Sequence, residues 1–115
     1  FHSRLMKSAN EKFAEHLNNV DIQDAKVPVY ANVTAEPVTT KEPIKDLLIQ
    51  QLFSPVRFEE SIRNMMNKGV DAFVEVGNGK VLSGLVRKID RKVTTFSVSD
   101  PDSLERFMSW YREEA

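Results

Sequence analysis

His2, in the opening stretch Phe1-His2-Ser3-Arg4-Leu5-Met6, stands just ahead of an amphipathic pattern and is the side chain best placed for acid–base chemistry. A histidine at the edge of an element can be held in one tautomer by a neighbouring carbonyl while its other nitrogen faces a cleft, as a general base requires. Read by itself, the same placement is also open to a solvated side chain without a role. His16 falls off the apolar stripe of its helix and reads as exposed. No Gly-x-Ser-x-Gly elbow occurs. The four glycines are Gly69, Gly77, Gly79 and Gly84, and the nearby Ser83 lies inside an apolar helical pattern, so no nucleophilic serine is expected in this chain. Gly77-Asn78-Gly79-Lys80 could bring backbone amides close to an anion, but it lacks the spacing of a Walker or dinucleotide motif and reads as a simple tight turn. Arg87, Lys88, Arg91 and Lys92 make one local basic cluster at the end of a helical pattern, where cations complement the helix dipole.

Composition narrows the function classes. The chain has 115 residues, 41% hydrophobic and 29% charged, the mixture of a globular protein. No apolar run approaches the roughly 20 residues of a membrane-spanning helix. A formal net charge of −1 argues against a nucleic-acid binder, which needs a net basic face. The absence of cysteine removes disulfides and cysteine-rich metal sites, no metal site is read, and a cytoplasmic location is expected.

These residues must be positioned by alternating elements. Leu5, Met6, Ala9, Phe13 and Leu17 predict a first helix ending near Asn18-Asn19, and Val29 to Val33 predict a strand. Thr34 to Thr40 read as a loop ending in a Thr39-x-x-Glu42 capping box, with Ile44, Leu47, Leu48 and Leu52 on the helical face that follows. Ser54-Pro55 predicts a fresh helix start, and Gly69 its stop. Val70 to Val76 predicts a largely buried strand, Val81 to Ile89 a helix and Val93 to Val98 a third strand. Asp100-Pro101 predicts the cap of a last helix with Leu104, Phe107, Met108 and Tyr111 on one face. The expectation is one α/β unit, residues 1–115, with a mainly parallel sheet flanked by helices.

Four motifs fall in one order: Phe1-His2-Ser3-Arg4-Leu5-Met6, Val29-Tyr30-Ala31-Asn32-Val33, Gln51-Leu52-Phe53-Ser54-Pro55-Val56 and Val74 to Leu85. In that order and spacing the chain resembles the C-terminal part of bacterial malonyl-CoA:acyl carrier protein transacylases, the malonyltransferases of fatty acid biosynthesis. The family has proline where this chain has Asn78. The resemblance implies a fragment of a hydrolase-like large subdomain, with the serine-bearing portion and a ferredoxin-like small subdomain upstream. It implies an acyltransferase with no permanently bound cofactor, whose substrates are malonyl-CoA and the phosphopantetheine thiol of acyl carrier protein. His2 would be the general base and the backbone carbonyl of Gln51 would orient it, leaving the Gln51 side chain partly dispensable. Phe1 would narrow the pocket beside the acyl α-carbon, although simple packing fits it equally. Arg87, Lys88, Arg91 and Lys92 would face the acidic carrier protein. Without its serine the chain is expected to be inactive alone, with the rest of the enzyme as a partner. Two alternatives stay open: an acyltransferase-domain fragment of a polyketide synthase, and a non-catalytic carrier-protein-binding module.

Overall fold

The computed structural model describes residues 7–114. The chain forms two compact units that meet in sequence at Asn64 and Met65. Phe1 and His2 lie outside the described residues.

In the first unit, helix α1 (Lys7–Asn18) packs against helix α2 (Lys41–Gln50), with Leu17 of α1 buried. His16 is exposed, as its place off the stripe predicts. Strand β1 is only Val29–Tyr30, not Val29 to Val33, and it pairs antiparallel with β2 (Pro37–Val38), which lies inside the stretch expected to be loop. The reason is local: after Tyr30 the chain winds into a turn. The Ala35 N–H donates to the Ala31 carbonyl at 2.8 Å, and Ala35 has φ 59° and no solvent exposure. A non-glycine residue in the left-handed region costs roughly 1–2 kcal/mol, so surrounding contacts must hold it there. They come from the third helix and the residue before it: Arg57 Nη1 donates to the Val33 carbonyl at 3.3 Å, and Asn64 Nδ2 to the Ala35 carbonyl at 2.8 Å.

The expected Thr39 capping box does not form. Thr40 occupies the N-cap of α2 and makes no side-chain cap bond. The Thr39 carbonyl instead accepts from the Ala25 N–H at 2.7 Å, and the Lys41 N–H donates to Asp24 Oδ1 at 2.8 Å. A carboxylate seventeen residues upstream thus satisfies a helix-start donor. Helix α3 (Phe58–Asn67) likewise begins later than Ser54-Pro55 predicts, because the Arg57 N–H is tied to the Asn32 carbonyl at 3.0 Å and the Arg57 carbonyl opens the helix by accepting from Ser61. Arg57 also pairs with Glu60, and Ser61 and Ile62 are the buried residues of α3.

Gly69 ends α3 as expected. At φ 100° it donates to the Met66 carbonyl while Val70 donates to the Met65 carbonyl, the paired bonds of a Schellman motif. In the second unit, β3 (Ala72–Val76) runs parallel to β4 (Thr94–Val98), in register from Ala72 opposite Thr94 to Val76 opposite Val98. Helix α4 (Val81–Ile89) connects them and α5 (Pro101–Glu114) follows. The α/β class is therefore shown, with one parallel and one antiparallel pair among the described residues. β3 is less buried than its apolar run predicts, Val74 being 36% and Val76 81% exposed, since it has one strand neighbour among the described residues. On α5 the apolar face is also shifted. Phe96 of β4 packs on Phe107 at 5.4 Å and Trp110 at 5.1 Å, while Leu104 and Tyr111 are about half exposed. Asp100 caps α5 as expected, accepting the Ser103 N–H at 2.7 Å.

Ile62, 4% exposed on α3, is one of few deeply buried apolar side chains among the described residues. Ile62→Ala is expected to lower stability by about 2–5 kcal/mol in urea unfolding; a loss well below this would show that the core of the first unit lies elsewhere.

Candidate functional site

Gln51 follows the last turn of α2 as its C-cap (φ −65°, ψ −17°), its N–H donating to the Leu47 carbonyl at 3.0 Å. The last carbonyls of a helix are not used by its own ladder, so a C-cap residue is suited to present an oxygen elsewhere. Gln51 is half-buried and lines a cavity of about 220 Å³ beside Tyr30, Asn32, Ile44, Leu47 and Leu48. Asn32, which the sequence reading placed within a strand, sits at the start of the Ala35 turn, and its Nδ2 donates to Gln51 Oε1 at 3.4 Å. The low strand propensity of asparagine was the available signal that β1 ends before it. The structure thus brings Gln51 and Asn32 together, whereas Phe1 and His2 fall outside the described residues.

The Gly77 to Lys80 loop is settled by a neighbour. Gly77 and Gly79 take φ 132° and 86°, conformations that favour glycine, and turn the chain into α4. In the first turn of α4 the Leu82 and Ser83 N–H groups are claimed by Glu75, whose Oε1 accepts the Ser83 N–H at 2.9 Å and the Ser83 hydroxyl at 3.0 Å, and whose Oε2 accepts the Leu82 N–H at 3.3 Å. A carboxylate therefore fills the anion-favouring helix start, and the tight turn is the reading that stands. The Ser83 hydroxyl also meets Ser97 Oγ at 2.8 Å, tying α4 to β4. A buried, fully engaged Ser83 is no nucleophile candidate, in keeping with its lack of an elbow.

The basic cluster is divided. α4 ends at Ile89, so Arg87 and Lys88 lie in its last turn, while Arg91 and Lys92 follow the helix, with the Lys92 N–H on Asp90 Oδ1 at 2.8 Å. All four are exposed. Arg87 donates to Thr95 Oγ1 at 3.1 Å and lines a polar cleft of about 350 Å³ with Lys80, Arg106 and Asp100. Lys92 lines a different cleft, with Asp71, Phe107, Trp110 and Glu114. Lys80 and Arg106 were missed because they are distant from Arg87 in sequence and only the β3–α4–β4–α5 path brings them to one cleft. Among the described residues no three His, Asp or Glu side chains come together as a metal site. No described helix is long and apolar enough to cross a membrane.

Donation from the Ser83 N–H, aided by the Ser83 hydroxyl and the Leu82 N–H, holds the Glu75 carboxyl below its ordinary value of 4.5 despite partial desolvation. The stabilisation this gives is complete above about pH 4.5 and is lost as pH falls through the lowered value of the folded state. Glu75→Gln is accordingly expected to leave a shallower decline of the unfolding midpoint in acid than the unsubstituted protein shows; identical slopes would mean that the cap contributes nothing.

No family model matches the chain. Its sequence relatives include the malonyl CoA-acyl carrier protein transacylase of Bacillus subtilis, 54% identical over 114 residues, which are 99% of this chain and 36% of the relative. Among solved structures, the malonyl CoA-acyl carrier protein transacylase from Clostridium perfringens superposes with a TM-score of 0.90 at 39% identity, covering 99% of this chain and 36% of that one. A malonyl-transacylase in complex with a type II PKS acyl-carrier protein gives 0.84 at 34% identity, covering 90% of this chain and 33% of that one. The chain thus spans about a third of the length of the relatives it matches, and the resemblance carried by the four motifs is shown.

Proposed function

We propose that this chain, homologous to about a third of the malonyl CoA-acyl carrier protein transacylases, is the part of such an enzyme that supplies the general base and the carbonyl that orients it. The observation that carries this reading is the 54% identity across nearly the whole chain, motif stretches included. The placement of Gln51 as the C-cap of α2 supports it.

In this reading a serine elsewhere in the polypeptide attacks the thioester carbonyl of malonyl-CoA, and His2 takes the hydroxyl proton as the carbon–oxygen bond forms. Collapse of the tetrahedral intermediate breaks the carbon–sulfur bond, and His2 returns the proton to the departing CoA thiolate. The phosphopantetheine thiol of the carrier protein then attacks the malonyl-serine, with His2 again accepting a proton and returning it to the serine oxygen. The Gln51 carbonyl accepts from the other ring nitrogen and fixes the tautomer. A neutral oxygen does this without the stronger imidazolium stabilisation a carboxylate gives. The scheme needs no resident cofactor. Phe1 would narrow the acyl pocket, where one methyl is worth roughly 1–3 kcal/mol of discrimination. Arg87, with Lys80 and Arg106 around one cleft, is the best-supported part of a docking face for an acidic carrier protein, with Lys88, Arg91 and Lys92 adding to its field. The likeness to a transacylase seen with a type II PKS carrier keeps a polyketide-pathway enzyme as the second reading.

The apolar surface left open on β3 and α4, with Val76 81% and Val81 74% exposed, suits contact with the remaining two-thirds of such an enzyme. By itself the chain is expected to be inactive and marginally stable, and malonyl transfer by the isolated 115 residues would overturn the reading. In the full-length enzyme His2→Ala should cut acyl-serine formation by about 10²–10⁴-fold, the usual worth of a general base. Transfer to the carrier protein should slow as salt rises, and Arg87→Glu should flatten that dependence; a salt-insensitive rate would remove the docking role.

A further inference from the structure

We propose that Asn78 is a site of spontaneous covalent modification, the Gly79 nitrogen closing on the Asn78 side-chain amide to leave aspartate and isoaspartate in the turn between β3 and α4. Among the asparagines of the chain Asn78 alone is followed by glycine; Asn19 and Asn32, by contrast, precede Val20 and Val33, whose branched side chains crowd the nitrogen. Asn78 is exposed, and residues 77–80 belong to neither helix nor strand. The span is tied at both ends: the Gly77 N–H donates to the Val98 carbonyl at 3.0 Å, and the Lys80 carbonyl accepts the Gly84 N–H at 3.0 Å. Between these ties the Gly79 N–H makes no hydrogen bond among the described residues. Gly79 has φ 86°, and apart from its chain neighbours nothing lies within 4 Å of where a Cβ would stand. The nitrogen that must attack is therefore uncommitted and unshielded.

Water is the only co-reactant. The Gly79 nitrogen gives up its proton and attacks Cγ of Asn78; a nitrogen–carbon bond forms, the bond from Cγ to the side-chain nitrogen breaks, and ammonia leaves, carrying a proton with it. Water then opens the cyclic imide. Cleavage at Cγ restores an ordinary main chain with aspartate, whereas cleavage at the main-chain carbonyl carbon leaves isoaspartate, in which the backbone runs through Cβ and Cγ and gains one carbon. Either product adds a negative charge to a chain whose formal net charge is −1. The extra carbon must be taken up between two fixed points. Upstream, Gly77 is bound to Val98 of β4; downstream, the Leu82 and Ser83 N–H groups donate to Glu75 at 3.3 and 2.9 Å. Isoaspartate therefore works the first turn of α4 away from the carboxylate that caps it.

The test incubates the full-length polypeptide that carries this sequence, kept native in neutral buffer at physiological temperature, beside its Asn78→Gln variant, whose longer side chain would have to close a larger and slower-forming ring. Trypsin cuts after Lys68 and Lys80 and releases the peptide Gly69–Lys80, in which Asn78 is the sole asparagine. By mass spectrometry this peptide is expected to convert ahead of those bearing the other asparagines of this chain, to aspartate and a larger share of isoaspartate, the latter accepting methyl groups from an isoaspartate-specific methyltransferase. The same peptide from Asn78→Gln should stay unchanged. The unfolding midpoint of the unsubstituted protein should fall with incubation in step with its isoaspartate fraction, while that of Asn78→Gln holds. An Asn78 that outlasts the other asparagines, or that converts only once denaturant is added, would overturn the proposal, because the folded turn would then be protecting it. Conversion with a midpoint that does not follow the isoaspartate fraction would overturn the strain assigned to the α4 cap. Neither readout requires malonyl transfer, so failure here and failure of the proposed function are separable.

Discussion

The first unit depends on a turn that its own residues do not favour. Ala35 adopts a left-handed conformation with no side-chain flexibility to relieve it, and it is wholly buried. Hydrogen bonds from outside the turn compensate, delivered by Arg57, just ahead of α3, and by Asn64 within it. Because Arg57 lies at the mouth of α3 and also holds the Asn32 carbonyl, the start of that helix, the end of β1 and the C-cap of α2 are linked by one connected group of polar contacts. The strand shortens to two residues as a result. The α3 start moves from Ser54-Pro55 to Phe58 for the same reason: the Arg57 N–H is committed to the turn before the helix begins.

The second unit is organised by a different device. Glu75, on β3, reaches the first turn of α4 and ties it to the sheet through Ser83, which in turn contacts Ser97 on β4. A helix start, two parallel strands and their connection are joined through one carboxylate and two hydroxyls. The helix start that follows the glycine-rich loop does hold an anion, but one supplied by the chain itself: the Leu82 and Ser83 N–H groups donate to Glu75.

Much of the fold was legible where the signal is local. The Gly69 stop, the Asp100 cap and the β3–α4–β4–α5 succession need only nearby residues, and they appear as expected. What escaped depends on distant partners. Asp24 displaces the Thr39 capping box because it arrives from seventeen positions away with a charged acceptor. Trp110 replaces Leu104 on the packed face of α5 because Phe96 decides which side of that helix is covered. The family resemblance gave Gln51 a role and included Asn32 in a motif, but not the contact between them, which spans nineteen residues. Nor could it show that Arg87 and Lys92 line two different clefts, one residue lying in the last turn of a helix that ends at Ile89 and the other beyond it.

The open flank of β3 has a practical reading as well. Among the described residues β3 is hydrogen-bonded to a strand on one side only, and Val74 and Val76 stand exposed on it close to Val81 in sequence. Backbone donors and acceptors along such an edge recruit another strand, while the valines reward its arrival with buried area. The two rewards come together, so joining is cooperative and the edge carries its own geometric address. A further strand laid along that edge would extend the parallel pair of β3 and β4 while covering apolar surface that now stands open.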